Sequence, residues 1–167
     1  MLHSLPRRLS ASDQHAIVNH LLRLSDGDRQ MRFCRAVNDD GIRAYAERIN
    51  FERDISIGIL DQQENLVALV QGFAYEQDGL GIMEAAFSTD EAMRRQGLAS
   101  LLFAEITDYA LAAGVDRVLT QCRAENRPMR TLLHSVGATC TVEDGEVMGH
   151  LSPSMKRGCC AVVASAS

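Results

Sequence analysis

The sequence predicts a mixed α+β fold: a central, mostly antiparallel, twisted sheet with one parallel strand-helix-strand unit and flanking helices. Three observations carry this prediction. The first third of the chain repeats apolar residues at helical spacing. The period changes to strand-like alternation at Ile55. From Leu80 on, a strand, helix, strand, helix and strand hairpin follow in turn. Because strands joined by a helix make a right-handed crossover, residues 80–122 are expected to contain two parallel strands.

The elements follow in order. Leu5, Arg7 and Leu9 alternate, so residues 5–9 read as a short first strand, with Pro6 interrupting it. Ser10 or Ser12 then caps a helix whose stripe is Ile17, Val18, Leu21 and Leu22, and Asp26-Gly27-Asp28 breaks it. A second helix starts at Asn38 or Asp39, with Ile42, Tyr45, Ala46 and Ile49 on one face. Residues 55–60 and 66–75 read as a hairpin around a polar turn, and residues 80–88 as a third strand. Leu98, Leu102, Ile106, Tyr109 and Ala113 form the stripe of the next helix, which Gly114 terminates. Residues 115–122 are a strand. Asn126 caps the following helix with Pro128 in its first turn; its stripe is Met129, Leu132, Leu133 and Val136. A last hairpin, 138–142 with 146–151, turns at Glu143-Asp144-Gly145. Residues 1–154 read as a single domain and 155–167, which lose all periodicity, as a loose tail.

Composition narrows the function. The chain has 167 residues, 46% of them hydrophobic, enough for one core. No run approaches the roughly 20 apolar residues of a membrane helix. The N-terminus lacks the apolar region of a signal peptide, so a cytoplasmic protein without membrane contact is expected. The five cysteines are odd in number and lack metal spacing, which predicts free thiols. The histidines are scattered and predict no metal site. A net charge of −5 argues against nucleic acid as the main partner. Nothing in the sequence defines an oligomeric state.

The chemistry concentrates in Phe87-Ser88-Thr89, the basic loop Arg94-Arg95-Gln96-Gly97, and the helix start Leu98-Ala99-Ser100. A helix N-terminus carries unpaired N–H groups and partial positive charge, which suits phosphate. Gly97 lets an anion approach the backbone, Ala99 is nearly as small, and Arg94 and Arg95 add charge.

Arg94-x-x-Gly97-x-Ala99 after an apolar strand resembles the pyrophosphate loop of the GNAT family of N-acetyltransferases. The order of elements is similar over nearly the whole chain. The nearest likeness is to the catalytic domain of bacterial protein-lysine acetyltransferases, carried by Glu84-Ala85-Ala86-Phe87, Arg95-Gln96-Gly97-Leu98-Ala99 and Ala124-Glu125-Asn126-x-x-Met129. The resemblance implies a GNAT-like fold and acetyl-CoA as cosubstrate. It implies an amine acceptor, possibly a protein lysine, with Glu84 as general base. It places Arg95 to Ser100 on the cofactor and Asn126 near its pantetheine arm. One departure stands out: many members place a Tyr acid where this chain has Leu133, so the leaving-group proton comes from elsewhere.

Glu84 also makes sense on its own terms. An amine must be neutral to attack, and a lysine is neutral in only about one molecule in two to three thousand at pH 7. A carboxylate on an apolar strand beside the cofactor loop can take the proton. Two functions share the loop: an acetyl-CoA-dependent N-acetyltransferase, and a non-catalytic acyl-CoA-binding sensor or docking module. A small amine or polyamine is also open as acceptor, with Asp39, Asp40 and Glu52 suited to a cation.

Overall fold

A computed structural model describes residues 4–154. Seven strands form one sheet in the order β1-β2-β3-β4-β5-β7-β6. They are β1 (Arg7–Arg8), β2 (Ile55–Leu60), β3 (Leu66–Gln77), β4 (Leu80–Thr89), β5 (Arg117–Arg123), β6 (Thr139–Glu143) and β7 (Glu146–Leu151). Every neighbouring pair is antiparallel except β4 and β5, which run parallel as the connecting helix predicts. The final hairpin enters the sheet through β7, leaving β6 at the edge.

Strand alternation divides the core between two faces. Ala68, Val70, Met83 and Ala85 meet Leu98, Leu102 and Ile106 of helix α4 (Leu98–Ala112). On the same side, α5 (Arg127–Ser135) packs Leu132 and Leu133 against Phe103, Cys122 and Val147. Phe87 and Phe103 stack with ring centroids 5.5 Å apart. On the opposite face, Leu66 and Leu69 pack against Ile17 and Leu21 of α1 (Gln14–Arg23) and Ile42 and Ala46 of α3 (Asp39–Glu47). Each of the Leu, Ile, Val, Phe and Met side chains among them, fully buried, contributes about 1.5–3 kcal/mol.

Three elements differ from the sequence expectation. The first strand is only Arg7–Arg8, beyond Pro6, which cannot donate to a ladder. The strand after α4 starts at Arg117, because Gly114 (φ 73°) and the following residues complete the helix-to-strand turn. Asp26-Gly27-Asp28, expected to break a helix, instead starts one: α2 (Asp26–Phe33). Ser25 caps it, its hydroxyl accepting from Asp28 N–H at 3.2 Å and donating to the Asp28 carboxylate at 2.6 Å. Two acids in the first turn suit the helix dipole. Buried Arg29 fastens α2 to its neighbours, donating to the Leu22 and Leu24 carbonyls and pairing with Asp39 at 2.8 Å. Among the described residues, three α-helices therefore precede β2, and the extra one roofs the site described next.

Among the described residues, no helix is long and apolar enough to cross a membrane, and Cys34, Cys122 and Cys140 are unpaired. The expected tail from Met155, with Cys159 and Cys160, lies outside the described residues.

Candidate active site

The parallel pairing of β4 and β5 runs from Ile82 to Glu84 on one strand and Arg117 to Leu119 on the other. Both strands continue past this point, so their carboxyl ends part. The gap opens a cleft of about 610 Å³ along Ala85–Thr89 on one side and Thr120–Cys122 on the other. Backbone N–H groups of β4 that face the gap have no strand to pair with.

One end of this cleft is the basic loop. Arg95 (φ 61°) and Gly97 (φ 77°) are both left-handed, which turns the chain into α4 with Gly97 as its N-cap. The N–H groups of residues 97–100 lack intrahelical partners, as at any helix start. A Cβ at Gly97 would meet no atom within 4 Å, so the space beside its backbone is open. Phe87, Ser88, Thr89, Arg94, Arg95, Gly97, Leu98, Ala99, Ser100 and Asn126 all line the cleft. Gln96 does not; its amide turns back toward the Ala92 carbonyl and Met93. Arg94 is not a free cation, since it pairs with Asp28 of α2 at 2.5 Å. Asn126 caps α5, accepting from Met129 N–H at 3.1 Å, while lining the cleft.

Glu84 lies at the last paired position before the split. Its neighbours Met83 and Ala85 turn toward α4, so Glu84 points to the face that carries α1, α2 and α3, beside Phe73. It is half-buried and stands next to the cleft rather than in its lining. The thiol of Cys34, at the end of α2, locates its surroundings. Burial first, then Glu146, and more weakly Glu84, raise that thiol above its usual value, while Arg123 and Arg32 oppose the shift. All four charged groups act on the Cys34 thiol. Gln121 donates to Glu146 there.

Several groups at the site carried no signal in the sequence. Thr120 is buried on the β5 wall, and its hydroxyl has no partner among the described residues. His20 is fully buried: Nε2 lies 2.8 Å from the Ser88 hydroxyl and Nδ1 3.1 Å from the Leu66 carbonyl. Asp90 Oδ1 also lies 2.9 Å from Nδ1. With Nδ1 protonated toward Leu66, Nε2 accepts from Ser88. Arg32, on α2, lines the cleft and donates through Nη2 to Tyr45 Oη at 3.0 Å and Gln71 Oε1 at 2.9 Å. A pattern did exist for α2 itself, the Ser25-x-x-Asp28 cap.

Leu133 is buried against Gly149, and its neighbour His134, a residue that could donate a proton in place of the missing Tyr, is exposed on α5 outside the lining. Asp39 is committed to Arg29, and Asp40 and Glu52 are exposed outside the cleft, so this trio forms no cation pocket there. Cys122 lines the cleft, but burial pushes its thiol up to about 11, which leaves it protonated and unreactive at neutral pH.

The sequence model described as "Acetyltransferase (GNAT) family" matches residues 28–138, well over half the chain. No curated protein matches. Solved structures share the fold at low identity. The GNAT domain of S. lividans PAT has a TM-score of 0.74 and 20% identity, over 88% of this chain and 89% of that one. The ribosomal-protein-S5-alanine acetyltransferase of Vibrio fischeri has 0.72 and 11%, over 92% and 94%. The spermidine N-acetyltransferase of Vibrio cholerae, in complex with CoA and spermine, has 0.69 and 17%, over 92% and 96%.

Proposed function

The chain belongs to the acetyltransferase (GNAT) family, and from that premise we propose that it acetylates a primary amine by direct transfer, with acetyl-CoA in the β4–β5 cleft and Glu84 as general base. As a member of the family it is an acetyl-CoA-dependent acyltransferase. The observation that carries the finer reading is the parting of β4 and β5 at Glu84, with the basic loop at the far end of the same cleft. The cleft fits the cosubstrate. Phosphate meets the N–H groups of residues 97–100 and the dipole of α4. The pantetheine amides meet the free edge of Ala85–Thr89, with Thr120 Oγ1 and Asn126 on the opposite wall.

Acetyl-CoA supplies the activated thioester; the residues supply position and proton transfer. Neutralising a lysine-like amine at pH 7 costs about 4–5 kcal/mol. Glu84 takes that proton, directly or through water. Unpaired N–H groups of β4 donate to the charge that develops on the thioester oxygen. Leu133 provides no acid, so the departing thiolate takes its proton from solvent.

The acceptor is a protein lysine or a small amine. The resemblance of Glu84-Ala85-Ala86-Phe87 and Arg95-Gln96-Gly97-Leu98-Ala99 to protein-lysine acetyltransferases supports the first, and the spermidine enzyme, by fold alone, the second. The unpaired cysteines fit a cytoplasmic setting. Release of CoA thiol, followed against a panel of amines and a lysine peptide, tests the reading. Amine-dependent release that Glu84→Gln abolishes supports it; binding of acetyl-CoA without amine-dependent release contradicts it.

A further inference from the structure

Arg32 is a cation held ready without a counter-ion. It pairs with no carboxylate among the described residues. Its Nε is buried and has no partner there. Its orientation is nonetheless closely set. Nη2 is divided between Tyr45 Oη and Gln71 Oε1, Tyr45 donates to the same Gln71 oxygen at 2.7 Å, and Gln71 donates to Ser56 at 3.3 Å. Gln71 and Ser56 are both 1% exposed. The guanidinium carbon also stands 4.9 Å from the Phe33 ring centroid and 5.7 Å from that of Tyr45. Desolvating a cation is costly unless an anion offsets it. A guanidinium fixed in a cleft with donors to spare is suited to a two-oxygen anion.

Position says whose anion this is. The phosphate loop reaches α2 one turn earlier, where Arg94 holds Asp28. Arg32 itself stands over Gln71, which pairs across the strands with Ala86. Ala86 is on the same face as Glu84, two residues or about 7 Å along the strand. Arg32 therefore lines the cleft over the same sheet face that carries Glu84.

We propose that the acceptor is a small amino acid, its amino group beside Glu84 and its carboxylate on the free donors of Arg32. This rests on the N-acetyltransferase reading and narrows its substrate class. A nitrogen–carbon bond forms to the acetyl group as the carbon–sulfur bond breaks. The ammonium gives one proton to Glu84 before attack; the second leaves nitrogen as the tetrahedral adduct collapses and passes through water to the departing thiolate; Glu84 returns its proton to solvent as an N-acetyl amino acid and CoA leave. Spermidine and a lysine side chain carry no carboxylate for Arg32.

The test compares kcat/KM for matched pairs, alanine with alaninamide and glutamate with its diamide, and for spermidine and a lysine peptide. The wild type should favour each acid over its amide by tenfold or more, even though the amide's less basic amine is more often neutral. Arg32→Gln should bring the acid-to-amide ratio down about 10–100-fold, mostly through KM, the usual value of one or two charge-assisted hydrogen bonds. Arg32→Lys, which keeps the charge without the fork, should fall between. Melting curves and CoA affinity verify that the variants are folded. Spermidine, the peptide or the amides serving as well as the acids would overturn the substrate class while leaving the N-acetyltransferase reading intact. So would a ratio that ignores Arg32→Gln in a folded variant. No amine-dependent turnover at all would overturn both.

Discussion

Gly97→Glu separates what the loop does for the fold from what it does for the cofactor. Gly97 sits at φ 77°, and a Cβ there meets nothing within 4 Å. A side chain thus has room in the free protein. The intrinsic cost is the left-handed backbone, about 1–2 kcal/mol for a residue with a Cβ. That lowers the melting temperature by roughly 2–8 °C for a domain of this size. In the complex the new carboxylate stands beside the phosphates. Two unit charges about 4 Å apart at an effective dielectric of 20 repel by about 4 kcal/mol. CoA affinity should then fall about a thousandfold. Gly97→Ala carries the same backbone cost without the charge, so it should match the thermal shift and lose far less affinity. Calorimetric titration with CoA beside scanning calorimetry reads both quantities. A folded Gly97→Glu protein that binds CoA within threefold of the wild type would refute phosphate binding at this helix start.

Glu84→Gln keeps the shape and removes the base, so kcat should drop by about two to four powers of ten with CoA affinity nearly constant; an unchanged rate across pH 6–9 would take Glu84 out of the mechanism. Burial raises the Asp90 carboxyl, but His20 and Arg23 bring it below its usual value overall. A depressed folded-state value stabilises the protein above the unfolded value and loses that contribution as pH falls. Asp13, lowered to about 2 chiefly by its hydrogen bond from Arg7, acts in the same direction. The urea midpoint should therefore fall from about pH 5 downward, and Asp90→Asn should flatten part of that slope; an identical slope in the variant would show that Asp90 does not contribute. Leu133→Ala opens a cavity at a side chain 1% exposed, and should cost about 2–5 kcal/mol in denaturant unfolding without abolishing CoA binding.

Local pattern made much of this architecture legible. The change of period at Ile55 marks the sheet, and the polar turns mark the hairpins because alternation stops there. The start of α4 was readable because a positive-φ glycine, two arginines and an apolar stripe coincide within a few residues. Helix α2 was obscured by its composition: Asp-Gly-Asp at its head resembles a turn, and only Met31 and Phe33 are apolar among its eight residues. Its stability comes from the Ser25 cap and from Arg29 reaching α1 and α3, contacts a periodicity argument does not weigh. The split between β4 and β5 depends on how two strands whose paired residues are 35 positions apart diverge, so no short window of sequence contains it. The Arg32–Tyr45–Gln71 group has the same character, drawn from two helices and a strand. The place of β7 between β5 and β6 is likewise a matter of sheet order, which the hairpin pattern alone leaves open.

The most direct test of the central claim is a crystal structure of the protein with CoA. Phosphate oxygens should lie about 3 Å from the N–H groups of residues 97–100, and the pantetheine arm should run along Ala85–Thr89 in the β4–β5 cleft. Its sulfur should point toward the Glu84 and Arg32 end. CoA seated on another surface, or phosphates held by side chains away from the start of α4, would contradict the account.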